Sequence, residues 1–129
     1  MALLNREQVK QAALKTRAVP APECGEDAEI LMSDLDGLSL IRLHERMYPI
    51  GEDGKAYPDR EKMPALRVIA CARNADGTPM YGDEDLAEVQ TLPGALLMRL
   101  SNAAAELTGE FERSGEPVSS RVEEYAKNS

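Results

Sequence analysis

The chain is read most easily from the spacing of its apolar residues. Asn5 precedes a polar-rich stretch and can cap it, with Gln8 three positions on to complete a capping box and Leu4 placed to pack on Val9. This predicts a first helix from Arg6 to about Lys15, with a thin apolar face of Val9, Ala12 and Ala13 that needs a partner surface to be stable. Residues 16 to 34 read as extended. Pro20 and Pro22 lack backbone donors, so any strand there lies at a sheet edge. Glu23 to Asp27 makes a turn, after which Ile30 and Met32 fall on one face and Glu29 and Leu31 on the other. The two runs predict a short hairpin, which is marginal alone and must pack on helices or gain strands.

Asp36 can cap a second helix, in which Leu40, Leu43, His44 and Met47 share a face and which Pro49 ends. From Ile50 to Met63 the chain is polar and reads as a mobile loop, long enough to be a functional candidate. A third helix starts near Pro64 and runs through Leu66 and Ile69 to about Arg73. Asp76-Gly77 supplies a tight turn, Thr78 to Tyr81 is short and extended, and Asp83 can cap a brief helix that turns Leu86 and Val89 inward. The last helix begins at Pro93, carries Leu96, Leu100, Ala103, Ala104 and Leu107 as one stripe, and stops at Gly109. The fold class that follows is α+β. It is a mainly helical single domain over residues 1–109 with a small N-terminal antiparallel β-hairpin, and a disordered acidic tail over 110–129. The expected core is Leu66, Ile69, Leu86, Leu96, Leu100 and Leu107.

Composition narrows the function classes. The chain has 129 residues, enough for one core, and aliphatic and Met side chains must fill it because aromatics are scarce. Its 23 acids against 15 scattered bases leave a net charge of -8, which argues against a nucleic-acid partner. The acidity reads first as solubility, with steering toward a basic partner as the alternative. No apolar run approaches the roughly 20 residues of a membrane helix, and the N-terminus lacks a secretion pattern. Cys24 and Cys71 read as free thiols of a cytoplasmic protein.

Candidate chemistry is sparse. His44, the single histidine, reads as a partly buried side chain on an apolar face rather than a metal ligand. Cys71 falls in an Ala-rich helix, and Cys24 has no basic neighbour to activate it. Asp34 and Asp36 lack the remaining positions of a calcium loop, and Gly51 to Lys55 is acidic where a phosphate would sit. No catalytic, cofactor or metal residues are assigned, and no enzyme activity is expected. A carboxylate-based hydrolase or isomerase, whose site assembles only in space, remains the enzymatic alternative.

Three segments carry a resemblance. They are the opening Leu3-Leu4-Asn5-Arg6-Glu7, the stretch Arg73-Asn74-Ala75-Asp76-Gly77-Thr78-Pro79-Met80-Tyr81, and Asp83-Glu84-Asp85-Leu86 followed by the Leu-rich helix ending at Leu107-Thr108-Gly109. In order and spacing these resemble the tail assembly chaperones of long-tailed, siphovirus-like bacteriophages and prophages. The early hairpin departs from that pattern, with Glu23-Cys24-Gly25-Glu26-Asp27 where the family often has Trp-Gly-Gly. The resemblance implies a non-enzymatic chaperone of virion morphogenesis that binds the tape measure protein. It implies help in recruiting tail tube subunits, in several phages through a longer frameshifted form, and departure before the virion is complete. It also implies self-association. A small acidic regulatory adaptor is the non-enzymatic alternative. The candidate protein-binding residues are Val9 and Ala13 on the first helix, Ile30 and Met32 on the hairpin, and Tyr48, Ile50 and Tyr57 around the loop, with Ile30 and Met32 closing the core as the competing reading of that pair.

Overall fold

The structure is a computed structural model and describes residues 2–110. A three-stranded antiparallel sheet, ordered β1 (Thr16–Pro20), β2 (Glu29–Ser33), β3 (Ala72–Arg73), packs against a helical layer. The helices are α1 (Arg6–Lys10), α2 (Gly37–Met47), α3 (Met63–Cys71), α4 (Leu86–Gln90) and α5 (Gly94–Leu107).

Helix α3 organises the molecule. Ala65, Leu66, Val68, Ile69 and Cys71 are all buried, so its apolar character runs around the helix rather than along one stripe. That pattern belongs to a helix surrounded by other elements, and α3 packs on α2, α4, α5 and β2. Pro64 sits in its first turn, where a missing N–H costs nothing. Helix α5 supplies the other half of the core through Leu96, Leu100, Ala103 and Ala104. Met32, Met47 and Val89 close it from β2, α2 and α4.

The local signals act as their chemistry requires. Asn5 and Gln8 form the reciprocal capping box, each bond 3.0 Å. Asp36 accepts the Ser39 N–H at 2.8 Å, which holds its carboxyl below the usual carboxylate range. Pro20 lies on the edge strand β1, and residues Thr16 to Pro20 pair with Ser33 to Glu29.

Several expectations need correction. Helix α1 ends at Lys10 instead of Lys15, because none of its residues is buried and nothing offsets the cost of extending it. Leu4 and Val9 are both well exposed. The third helix stops at Cys71, and Ala72–Arg73 forms a third strand against Leu31 and Met32. This strand continues into a tight turn. Asn74 N–H reaches Thr78 O at 2.8 Å, Met80 N–H reaches Ala72 O at 3.1 Å, and Gly77 takes φ 89°. Asp83 does not cap a helix. It lies in the 3₁₀ turn Asp83–Asp85, where Asp85 accepts the Gly82 N–H, and Asp83 instead pairs with Arg46 at 2.7 Å. Leu86 and Leu107 are half-buried at the core margin. His44 is exposed, its ring 6.2 Å from that of Tyr48, because the buried face of α2 centres on Leu43 and Met47. Of the expected tail, Glu110 is held against α3, and residues 111–129 lie outside the described residues.

Leu100 is 1% exposed at the α3–α5 contact. Leu100→Ala should lower unfolding stability by about 2–5 kcal/mol through lost burial and the cavity left behind, read as a shifted midpoint in urea. A shift below about 0.5 kcal/mol would refute its place in the core.

Candidate functional site

Large apolar side chains that remain exposed in a folded chain mark places where burial is unfinished. Among the described residues all but one, Met98, fall into two groups. The first is the N-terminal arm, with Leu3, Leu4, Val9 and Leu14, where Leu3 is 92% exposed. Three bases, Arg6, Lys10 and Lys15, accompany one acid, Glu7, so the arm is cationic in an anionic protein. The second group comprises Leu38, Ile41, Ile50 and Tyr57, on α2 and the segment that follows it.

On α2, Leu38 and Ile41 are each 58% exposed. At 100° per residue, Leu38, Ile41 and Glu45 lie opposite the buried Leu43 and Met47. The helix therefore turns Leu43 and Met47 to the core and leaves Leu38 and Ile41 outward. Tyr48, the cap residue at the helix C-terminus, is half-buried and packs against the core.

The segment after α2, expected to be a mobile loop, is a small hairpin. Ile50 bridges Ala56, Gly51 N–H donates to Lys55 O at 2.8 Å, and Gly54 turns the chain with φ 79°. Tyr57 N–H returns to Pro49 O at 3.1 Å, and Asp59 N–H to Met47 O at 2.8 Å. The Tyr57 ring lies across Gly51, where an added Cβ would stand 3.3 Å from it. Its hydroxyl donates to the Asp53 carboxylate, and Asp53 also takes the Lys55 N–H at 3.0 Å. The Tyr57 bond is the main reason the Asp53 carboxyl sits below its usual range, and the same bond raises the Tyr57 hydroxyl above its own. Ile50, 75% exposed, and Tyr57 are thus presented on an ordered support.

The predicted residues divide accordingly. Val9 and Ala13 are exposed on the arm, Ile50 and Tyr57 are exposed on the hairpin after α2, and Tyr48 is half-buried against the core. Met32 does not offer a surface. It is 0% exposed in the core, because β2 is the central strand and its inner face lies under the helices. Ile30 packs half-buried beside the same core. The hairpin edge that remains open is the backbone of β1. Asp34 N–H bonds to Lys15 O and Ala21 N–H to Ala28 O, which sets the odd residues of β1 toward β2. Thr16 and Ala18 then direct their backbone groups outward, while the Pro20 carbonyl accepts from Arg99 at 3.1 Å. A groove of about 290 Å³ runs between this edge and α5, lined among others by Ala18, Pro20, Arg99 and Asn102.

Reasoning from the sequence missed Leu3, Leu4, Leu14, Leu38 and Ile41 as surface candidates. The signal on α2 was available, since the Leu38–Ile41–Glu45–Tyr48 spacing is as helical as that of the core face. Groups suited to chemistry are dispersed. Cys24 is exposed, while burial pushes the Cys71 thiol up to about 11. Among the described residues no cluster of three or more His, Cys, Asp or Glu could hold a metal, and no helix is long and apolar enough to cross a membrane.

With this geometry in view, the chain was compared with known proteins. No protein-family model matches it, and no curated protein matches it. Among solved structures it is similar to the tail assembly chaperone of bacteriophage HK97, with a TM-score of 0.52 and 19% identity, over 78% of this chain and 94% of that one. At that identity the likeness establishes a shared fold, the mixed α+β arrangement described above.

Two outcomes follow from the site. Leu38→Asp and Ile50→Asp should each leave the unfolding midpoint within about 0.5 kcal/mol of the parent, whereas Met32→Asp should abolish folding, as circular dichroism would show. In the hairpin, Tyr57→Phe removes the bond to Asp53, so the Asp53 titration followed by carboxyl NMR should move upward. Because the folded pKa of Asp53 is depressed, its support of the hairpin is present above the unfolded value of about 3.9 and is lost as pH falls through the folded one. An unmoved midpoint would exclude Tyr57 as the cause.

Proposed function

We infer that this chain is a non-enzymatic tail assembly chaperone of a siphovirus-like phage or prophage. It binds the tape measure protein and aids recruitment of tail tube subunits. The observation that carries the reading is the shared fold with the HK97 tail assembly chaperone, reached over nearly the whole of that chain. It agrees with the three sequence segments that resemble the family. Two of them have clear structural roles here: the opening is the capped cationic arm, and the stretch from Arg73 to Tyr81 is the turn that adds β3 to the sheet.

The exposed surface supports binding as the mode of action. A chaperone of a long, aggregation-prone helical protein needs apolar area that its own core does not consume. Leu38 and Ile41 on α2, with Ile50 and Tyr57 on the hairpin after it, supply exposed apolar area, and the arm supplies a second, cationic one. An apolar helix laid on the α2 face would bury Leu38 and Ile41 by ordinary helix packing. Self-association multiplies the same surface, and the arm and the open edge of β1 are its candidate elements. In this reading the protein works in the host bacterial cytoplasm and is absent from the mature virion. A frameshifted longer form, where one exists, would contact the tube subunit through its added portion.

Affinity capture from infected or prophage-induced cells tests the reading directly. Tagged chain should co-purify the very long tape measure protein, and Ile41→Asp combined with Ile50→Asp should lose it while remaining folded. If the tape measure protein is never captured, and deletion of the gene leaves tails of normal length and number, the chaperone reading is wrong. If capture succeeds and the double variant binds normally, the chaperone reading stands and the binding face moves to the arm. Light scattering over a range of concentrations should show growth in mass, and a strict monomer throughout would remove self-association from the mechanism.

A further inference from the structure

The end of the β1–β2 hairpin carries a groove of about 330 Å³, lined by Pro20, Pro22, Asp27, Ala28 and Glu29. Its walls are fixed from both sides. Ala21 N–H bonds to Ala28 O at 2.8 Å, and Ala28 N–H to Gly25 O at 3.1 Å. Arg99 of α5 donates to the Pro20 carbonyl at 3.1 Å and to both carboxylate oxygens of Glu23, at 2.9 and 3.0 Å. Glu23 is therefore compensated, but the rim of the groove is not. The carboxylates of Asp27 and Glu29 are exposed, and neither side chain has a hydrogen bond or ion pair. The groove offers two proline rings and an alanine beside two negative charges that no cation answers.

Helix α1 carries the opposite pattern. Arg6 and Lys10 are four residues apart and Val9 is three beyond Arg6, so the three share one helical face. Glu7 lies about 100° around the helix from Arg6. The reciprocal bonds of Asn5 and Gln8 order that face before anything touches it. No residue of α1 is buried. Within one copy the arm enters β1 at Thr16, whereas the groove lies at the other end of the strand, at Pro20.

We propose that the Arg6–Val9–Lys10 face of α1 docks in the Pro20–Pro22 groove of a second copy of this chain. Charge complementarity selects the occupant. A chain of net charge -8 repels its own copies at large, and the arm, with three bases to one acid, is the segment that reverses the sign. Val9 covers the prolines, while Arg6 and Lys10 come to Asp27 and Glu29. Arm and groove are different surfaces, so the contact is head-to-tail, and each copy can give one and receive one. The proposal specifies the self-association contained in the chaperone reading and rests on that part of it alone.

Light scattering of the full chain over a range of concentration and salt tests it. The parent should grow in mass with concentration, and its association should weaken at least about tenfold between about 0.05 and 0.5 M salt as the screening length contracts. Val9→Asp and Glu29→Lys, both at exposed positions, should fold by circular dichroism and stay monomeric where the parent assembles. Mixed together they should form a dimer and nothing larger, because one keeps an intact groove and the other an intact arm. A parent that is monomeric throughout, a variant that assembles as the parent does, or a mixture that stays monomeric would each overturn the contact. Should Glu29→Lys fail to fold, Asp27→Asn takes its place, since asparagine suits the left-handed φ of 62° at that position. A monomeric parent that still captures the tape measure protein would sink the contact and leave the chaperone reading standing. An assembling parent that never captures it would do the reverse.

Discussion

Everything in this fold depends on keeping water from α3 on all of its sides. A nine-residue helix cannot bury itself, and each neighbour covers a different sector: α5, α4 and α2 around it, and β2 beneath. That demand explains features that look unrelated. The chain leaving α3 runs beside β2, and its backbone groups are satisfied by β2 on one side and by residues 79–80 on the other. Helix α4 can be five residues long because Val89, fully buried, is the single plug it has to provide. Small residues at 103 to 105 of α5 let that helix approach α3 closely.

Satisfying α3 consumes the strongest apolar groups and leaves others with nothing to cover. Leu38 and Ile41 face away from the core because α2 has a single inward side, already taken by Leu43 and Met47. The arm stays short as a helix for the same reason: with no surface beneath it, the capping box stabilises one turn and no more. The result is a set of exposed apolar groups beside a basic arm on an acidic body.

The parts legible in the sequence were those with local causes. Asn5 with Gln8, Asp36, Pro49 and Gly109 each act through neighbours a few residues away, and each marks an element boundary in the structure. The last helix was readable because its stripe is long and regular. Ala72–Arg73 was not, since two residues carry no period, and their strand character comes from pairing with Leu31 and Met32 of β2, far away along the chain. His44 was misplaced by about one helical sector, because the Leu40–Leu43–His44–Met47 spacing fits a face whose centre only the packing of α3 decides. Met32 was offered as surface because a hairpin read alone has two edges and two open faces. Its third strand and the helices above it are tertiary facts. The hairpin at residues 50 to 57 hid behind its polarity, its order resting on Tyr57 crossing Gly51 and bonding Asp53.

The proline at the end of β1 has a consequence for colloidal behaviour. An open strand edge is a template on which further copies can stack without limit, and acidic proteins made in quantity are not exempt. Here Pro20 removes one donor, Arg99 occupies the adjoining carbonyl, and only Thr16 and Ala18 are left to recruit a neighbour. Two residues make a foothold too short to seed a fibril, yet long enough to register one incoming strand. The edge is thereby limited to short contacts that end, so any pairing on it stays finite.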